Sequence, residues 1–292
     1  MNMLEYEKNQ EIKLHGNTAF PFNIYLCSIP LDFSAVPDHW HNDMEIIYIK
    51  KGSGIIRIDL ISYHVSAGDI VLVCPGQLHS ILQKADCTME YENIIFQLEI
   101  LITRQNDVCN EKYFLPLKQN KIILPHLIQR TEKNYRALSS HLDCIDELLK
   151  TDHPDNPLGV KGELYLFFHS LFTSHEKILP RVKENKSLDR LKTILKYVET
   201  NYADKMTIES IASATGFSKS HFMKFFKQNM GSSFIDYLND YRLTMAARLL
   251  ISSSADVIHV AGETGFDNVS YFNRLFKRKY DCTPMEFREQ KY

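Results

Sequence analysis

Residues 207–227, TIESIASATGFSKSHFMKFFK, decide how this chain is read, because a near copy returns at 256–277 as DVIHVAGETGFDNVSYFNRLFK. Up to the turn the copies align at an offset of 49, pairing Ala212 with Ala261, Thr215 with Thr264, Gly216 with Gly265 and Phe217 with Phe266. One inserted residue makes the offset 50 beyond it, pairing Ser220 with Ser270, Phe222 with Phe272, Phe226 with Phe276 and Lys227 with Lys277, with Lys224 opposite Arg274. In each copy a short apolar helix leads through Thr-Gly-Phe into a second helix that mixes aromatics with polar and basic side chains, the order of a helix-turn-helix. Gly216 and Gly265 suit a tight reversal at positive φ, and Thr207 and Asp256 stand where an N-cap side chain accepts from free helix amides. Phe222, Phe225 and Phe226, and likewise Phe272, Leu275 and Phe276, fall at i, i+3, i+4 and make one apolar stripe. That leaves Lys219, Ser220, Met223 and Lys224 in the first copy, and Val269, Ser270, Asn273 and Arg274 in the second, on the face free to touch a partner.

The run 188–288 resembles the double helix-turn-helix domain of the AraC/XylS family of bacterial transcription regulators. The resemblance is carried by ILKYVETNY (194–202), the two repeats, YLNDYRLTMAARLL (237–250) and TPMEFR (283–288). Asp281 departs from the pattern, since the family usually has glycine there and the first copy keeps Gly231. The resemblance implies recognition helices at about 219–228 and 268–279, entering successive major-groove segments roughly 34 Å apart, with the helix 234–250 as spacer. Lys224 and Arg274 are the leading contacts to base or phosphate, and Arg274 can hold guanine O6 and N7 with both arms of its fork. Asn273 suits an adenine, Val269 or Met223 a thymine methyl, and Lys219, Ser220 and Ser270 complete the set.

With 292 residues, 44% hydrophobic and 24% charged, the chain has room for two domains. It holds no apolar run of membrane-spanning length and opens on an acidic, polar MNMLEYEKNQEIKLHG, so a cytoplasmic protein without a membrane partner is expected. The six cysteines (27, 74, 87, 109, 144, 282) form no C-x-x-C pair, which argues against a disulfide framework or a zinc finger. Residues 185–292 carry 16 Lys and Arg against 12 Asp and Glu, and residues 1–184 carry 18 against 24. The basic half is therefore the one with the repeats, though a balance of +4 is modest for a partner made of phosphate.

From about Phe20 the pattern changes to short β-rich runs: FNIYLCSI, MEIIYIK, GIIRIDL, YHVSAG, DIVLVCPG and YENIIFQLEI. Ile56, Ile58 and Leu60 alternate with Arg57 and Asp59, the period of a strand with one buried face. KKGSG (50–54) and CPG (74–76) read as turns. Strands this close, with no helix between them, predict a small antiparallel barrel or sandwich. Within it, H-x-H-x3-E-x6-G, built on His39, His41, Glu45 and Gly52, and G-x6-P-G-x2-H, ending at His79, resemble the two motifs of the cupin superfamily. If the barrel is cupin-like, these four side chains converge inside it. Three imidazoles and a carboxylate suit Fe, Mn, Ni or Zn, or they line a polar pocket for a small molecule, or they pin the barrel mouth by hydrogen bonds. The asparagine that many cupins place four residues after the second-motif histidine is Gln83 here. Trp40, between the two histidines, points away from them by strand alternation.

Residues 122–150 read as helical from the spacing of Leu142, Ile145, Leu148 and Leu149; HPDNPLG (153–159) breaks that helix, and a second runs through ELYLFFHSLF (163–172). ILPRVKENKS reads as a flexible connector. The expected architecture is α+β: a cupin-like effector-binding and dimerisation domain at 1–178, a connector at 179–187 and an all-α double helix-turn-helix domain at 188–292. The AraC-like resemblance implies dimerisation through the middle helices and an effector, often a sugar, in the barrel. The expected protein is thus a homodimeric, effector-controlled regulator of double-stranded DNA. It is expected to be an activator meeting RNA polymerase, with no catalytic residues and no cofactor. A metal-dependent cupin enzyme or metal sensor fused to a DNA-binding domain is the alternative, and a regulator without a ligand is a third.

Overall fold

The computed structural model describes residues 19–32, 35–103, 105, 107–151, 153–174, 179–180 and 186–291, which fall into two compact units dividing at residues 184 and 185. The first holds β1 (Phe22–Ile29), β2 (Ala35–His39), β3 (Met44–Ile58), β4 (Ile61–Ser66), β5 (Ile70–Val73), β6 (His79–Gln83) and β7 (Met89–Phe96). Two short strands, β8 (Ile122–Ile123) and β9 (Leu127–Ile128), precede helices α1 (Tyr135–Leu149) and α2 (Asn156–Ser174), and β10 (Leu179–Pro180) follows them.

β3 organises this unit. Its first half lies between β7 and β5, with β1 and β9 beyond them, and its second half lies between β4 and β6, with β2 beyond β6; every pairing is antiparallel. The sheet thus folds over on one strand as a flattened barrel. Residues opposite one another across a ladder share a face. Met44, Ile46 and Tyr48 stand opposite Phe96, Ile94 and Glu92, and this face packs the core formed with α1 and α2 through Leu138, Leu142, Ile145, Leu164, Phe167 and Phe168. Each such fully buried side chain contributes about 1.5–3 kcal/mol relative to exposure. The opposite, inner face carries Glu45, Ile47 and Ile49 on β3, facing Ile95, Asn93 and Tyr91 on β7 and, beyond them, Asn23, Tyr25 and Cys27 on β1.

Four expectations are corrected here. KKGSG is not a turn, because β3 runs through it. Gly52 takes φ +74° beside a register shift, and a Cβ there would stand 1.9 Å from the Thr88 carbonyl oxygen, so the glycine bends the strand where a second strand crowds it. The helix expected from 122 begins only at Tyr135, since β8 pairs with β10 and β9 extends the edge of β5. The helix expected from 163 begins at Asn156, inside the predicted breaker: Pro157 occupies the first turn, where its missing N–H costs nothing. Finally, Leu179 and Pro180 of the expected connector pair with β8, and Lys186 and Ser187 belong to the next helix; residues 181–185 between them lie outside the described ones.

The second unit is all helix: α3 (Lys186–Asn201), α4 (Ile208–Ala214), α5 (Lys219–Met230), α6 (Phe234–Ser252), α7 (Val257–Glu263), α8 (Val269–Tyr280) and α9 (Pro284–Lys291). Thr207 accepts from the Ser210 amide and Asp256 from the His259 amide, the expected N-caps. Ser218 and Asn268 cap the two longer helices in the same way. Gly216 and Gly265 have φ of 71° and 82°. Asp281 takes the same left-handed conformation after α8, at φ 58°, that Gly231 takes after α5, so the departure from glycine leaves the helix end unchanged in kind.

The copies differ in how they are held. Arg242 of α6 donates to the carbonyls of Tyr202 and Asp204 beside Gly265, Lys279 pairs with Asp240, and Arg288 donates to the carbonyls of Leu250 and Ala255. Lys279 ties α8 to α6, Arg288 ties α9 to the end of α6 and the segment after it, and Arg242 ties α6 to the 202–204 segment, against whose Tyr202 and Ala203 carbonyls Gly265 packs, whereas a Cβ on Gly216 would meet nothing within 4 Å.

Candidate DNA-reading face and histidine–carboxylate cluster

The apolar stripes of α5 and α8 are buried, with Phe222, Phe226, Phe272 and Phe276 all 0% exposed. This turns the expected contact residues outward: Lys219, Ser220, Met223 and Lys224 on α5, and Ser270, Asn273 and Arg274 on α8, are exposed, and Val269 is half-buried. Lys219 already pairs with Glu209 of α4, an exposed contact that a phosphate can replace at small cost. Among the described residues no carboxylate pairs with Lys224 or Arg274. The sequence reading passed over Tyr271, which lies one helical turn before Arg274 on α8. Its ring is 5.3 Å from the Arg274 guanidinium carbon, and its hydroxyl accepts from Asn239 Nδ2 of α6 at 3.1 Å. The i, i+3 spacing of Tyr271 and Arg274 was legible, but the partner on α6 was not.

The four side chains expected to converge in the barrel do so. Ring centroids are 4.2 Å apart for His39 and His79, 5.0 Å for His41 and His79, and 5.8 Å for His39 and His41. Glu45 Oε2 lies 3.1 Å from His41 Nε2 and 2.7 Å from His79 Nε2, the latter approach being off the line of a directed hydrogen bond. The loop before His79 is built to place it: the Gln77 side chain accepts from the Cys74 amide and donates to Asp59, and the Gly76 amide donates to the His41 carbonyl. One turn thereby joins the two histidine motifs.

Every ring offers Nδ1 to a backbone carbonyl: His39 to Pro37 at 2.9 Å, His41 to Asp43 at 3.2 Å and His79 to Gln77 at 3.0 Å. A carbonyl only accepts, so each Nδ1 carries a proton, and Nε2 turns toward the cluster as a lone pair in the neutral ring or as an N–H donor in the charged one. Neutral rings alone would set lone pairs against a carboxylate, so the cluster requires added positive charge, either a further proton or a metal ion. Burial alone would raise the Glu45 carboxyl, but the charge of His79 and the hydrogen bond to His41 outweigh it and hold Glu45 well below the usual carboxylate range. Burial likewise lowers His79, and Glu45 outweighs it to raise that ring above its ordinary value. On His39 burial and the two neighbouring imidazoles outweigh the raising effects of Glu45 and the Pro37 carbonyl and push the ring down to about 3. One donor nitrogen each from His39, His41 and His79 lies within 4.8 Å of the others, so the residues fit a metal ion as well as a shared proton.

Sequence reasoning missed the rest of the inner face. Asn93 is 1% exposed and its Oδ1 has no hydrogen-bond partner among the described residues, and Tyr25 and Cys27 stand on the same face. The signal was present in the alternation of YENIIFQ, where Tyr91 and Asn93 share the face that Glu45 takes on the neighbouring strand.

A pair of helix-turn-helix copies with polar faces turned outward, in one chain with a β unit whose interior is lined by polar groups, defines a DNA-binding regulator with a ligand-binding domain. Residues 211–290 match the family model of a helix-turn-helix domain, and residues 30–168 match that of an AraC-like ligand binding domain. The chain belongs to the AraC family of transcription regulators. It is 23% identical over 287 residues to the HTH-type transcriptional regulator YdeC of Bacillus subtilis, covering 96% of each chain. It is 25% identical over 283 residues to the HTH-type transcriptional activator RhaS of Escherichia fergusonii, covering 95% of this chain and 97% of that one. The solved structure of ToxT from Vibrio cholerae with bound unsaturated fatty acid is 20% identical, at a TM-score of 0.48 over 93% of this chain and 95% of that one. Among the described residues no helix is long and apolar enough to cross a membrane.

Proposed function

We propose that this chain is an effector-controlled activator, not an enzyme, that binds double-stranded DNA as a homodimer and takes a small polar molecule, a sugar or related metabolite, against the inner face of its β unit. The observation that carries the effector reading is the orphaned Asn93 Oδ1 on the face that bears Glu45. A buried acceptor left unpaired costs about 1–3 kcal/mol, and a hydroxyl-bearing ligand removes that cost. His39, His41, Glu45 and His79 are the proposed contacts, with His39 and His41 half-buried and Glu45 and His79 buried. The RhaS relatives carry the name of activator, which supports activation through RNA polymerase. Leu158 and Leu166 are 76% and 49% exposed on one side of α2, which supports a second copy packing there.

On DNA, α5 and α8 are the proposed recognition helices, with Arg274 reading a base and Lys224 holding phosphate. The effector acts by binding one arrangement of the protein better than another, since equal affinity for both shifts nothing. The test titrates the full chain with sugars and polar metabolites, following its affinity for a fluorescent duplex pool with a randomised core and its thermal midpoint. A ligand at a hundred times its Kd adds about 2.7 kcal/mol to the stability of the unit that binds it. One compound that raises the midpoint and changes DNA affinity, with or without chelator, supports the proposal. A panel without effect on either sinks it.

A second reading is favoured by the three imidazoles, each with a donor nitrogen within 4.8 Å of the others, two of which also meet the Glu45 carboxylate. In it His39, His41 and His79, with Glu45, hold a divalent cation, which when bound supplies Lewis acidity and the missing positive charge. The chain would then be a metal sensor or a metal-dependent enzyme joined to a DNA-binding unit. A midpoint that falls with chelator and is restored by one metal alone supports this second reading over the first.

A further inference from the structure

We propose that Tyr271 is a positioning residue for DNA reading: anchored to the central helix α6 through Asn239, its ring holds the Arg274 guanidinium as a preset fork. This deepens the proposed role of Arg274 and rests on that reading.

The anchoring begins at the backbone. Asn268 Oδ1 caps α8 by accepting from the Tyr271 amide at 2.8 Å, which fixes where the side chain leaves the helix. The ring then lies 6.5 Å from the Phe266 ring of the turn, centroid to centroid, and its hydroxyl accepts from Asn239 Nδ2 at 3.1 Å. Asn239 sits in α6, so this contact joins the second recognition helix to the helix that spaces the two copies. Arg274 follows at i+3, its guanidinium carbon 5.3 Å from the centre of the Tyr271 ring. A guanidinium against an aromatic face keeps its N–H fork free while losing rotational freedom. Reading a base with both arms needs that geometry, and an arm already held has less freedom to lose on binding.

The first copy lacks the device. His221 takes the place of Tyr271 and packs edge-on against Phe217 at 5.1 Å, with no hydroxyl to reach another helix, and Lys224 replaces the fork with a flexible point charge. The second copy is therefore built for a fixed directional contact that the first is not.

The test binds the full chain to a duplex pool with a randomised core and sequences what is retained, for the parent and for Arg274→Ala, Tyr271→Ala, Tyr271→Phe, Asn239→Ala and the double variant Tyr271→Ala with Arg274→Ala. Thermal midpoints confirm that each variant is folded. Arg274→Ala is expected to erase preference at one base pair. Tyr271→Ala is expected to relax that same base pair and weaken the selected duplex about 2- to 10-fold, the range for freeing one long side chain. Tyr271→Phe and Asn239→Ala are expected to give smaller losses at the same position, because the ring stays and only its anchor goes. The double variant should match Arg274→Ala. Additive losses in the double variant, or a Tyr271→Ala loss equal on selected and random duplexes, overturn the positioning role and leave the Arg274 reading standing. If Arg274→Ala changes no base preference, the reading of Arg274 falls first, and the role of Tyr271 falls with it.

Discussion

The two units treat their polar side chains in opposite ways. In the β unit the distinctive polar groups are buried: Glu45 is 1% exposed, His79 0% and Asn93 1%. In the helical unit the corresponding groups, Lys224, Asn273 and Arg274 among them, are exposed, and it is the aromatic stripe behind them that is buried. A buried charge depends on its few neighbours, so changes in the β unit should register first as lost stability. An exposed charge is stabilised by water, so changes on α5 and α8 should register as altered DNA binding on an intact fold. The contrast also separates two kinds of design, a β unit that sets polar groups into one buried face beside an apolar core and a helical unit arranged around a dry one.

The largest expected effect is therefore Glu45→Ala, which leaves His79 without its counter-charge. Removing one partner of a buried pair costs about 3–5 kcal/mol. Urea unfolding followed by the fluorescence of Trp40, the only tryptophan, reports on this unit. An unchanged midpoint would break the contrast, because it would mean that the cluster is held by water like a surface site. Next comes a comparison inside the helical unit. Alanine at either turn glycine meets a left-handed backbone that costs an L-residue about 1–2 kcal/mol. At Gly265 the new Cβ would also stand 2.7 Å and 2.9 Å from two backbone carbonyl oxygens, and at Gly216 it would meet open space. Gly265→Ala should accordingly destabilise by about 1–3 kcal/mol more than Gly216→Ala, measured as the difference in thermal midpoints. Equal losses would mean that the second copy is no more tightly tied to its surroundings than the first.

What could be read from the sequence follows the same division. The helix-turn-helix pair was legible because its signals are local: an i, i+3, i+4 stripe, caps three residues from the amides they serve, and a glycine at each turn. The convergence of His39, His41, Glu45 and His79 was legible through a resemblance, not through spacing alone. KKGSG was misread because one glycine serves a turn or a strand bend equally well, and the Thr88 carbonyl that decides between them is 36 positions away. The pairs Ile122–Ile123 and Leu127–Ile128 were read as helix because runs this short carry no usable period. The tautomers of the three histidines were hidden as well, since they depend on carbonyls that loops bring to each Nδ1. The Asn239–Tyr271 contact spans 32 positions and leaves no periodic trace.

Two smaller effects sharpen the contrast from the helical side. Arg274→Ala should cost about 1–3 kcal/mol on a selected duplex and relax one base pair. The same change should move the unfolding free energy by less than about 0.5 kcal/mol, as expected for a surface site. A stability loss comparable to the affinity loss would place Arg274 with the buried groups of the β unit.

Lys224→Ala is expected to have the least specific effect. Among the described residues the Lys224 ammonium, a flexible point charge, has no aromatic platform, and a Cβ on the turn glycine of its copy would meet open space. A lysine that meets phosphate contributes through counterion release, which is blind to sequence. Affinity for selected and random duplexes should fall by the same factor, and the slope of log K against log salt should flatten by about one contact. The comparison with Arg274→Ala then turns on shape and not on size. If Lys224→Ala also singles out one base pair and leaves the salt slope unchanged, both copies read bases, and the difference between Lys224 and the held fork of Arg274 does not divide the labour between them. If the slope flattens and the base profile stays, the first copy serves to hold the duplex while the second distinguishes its sequence.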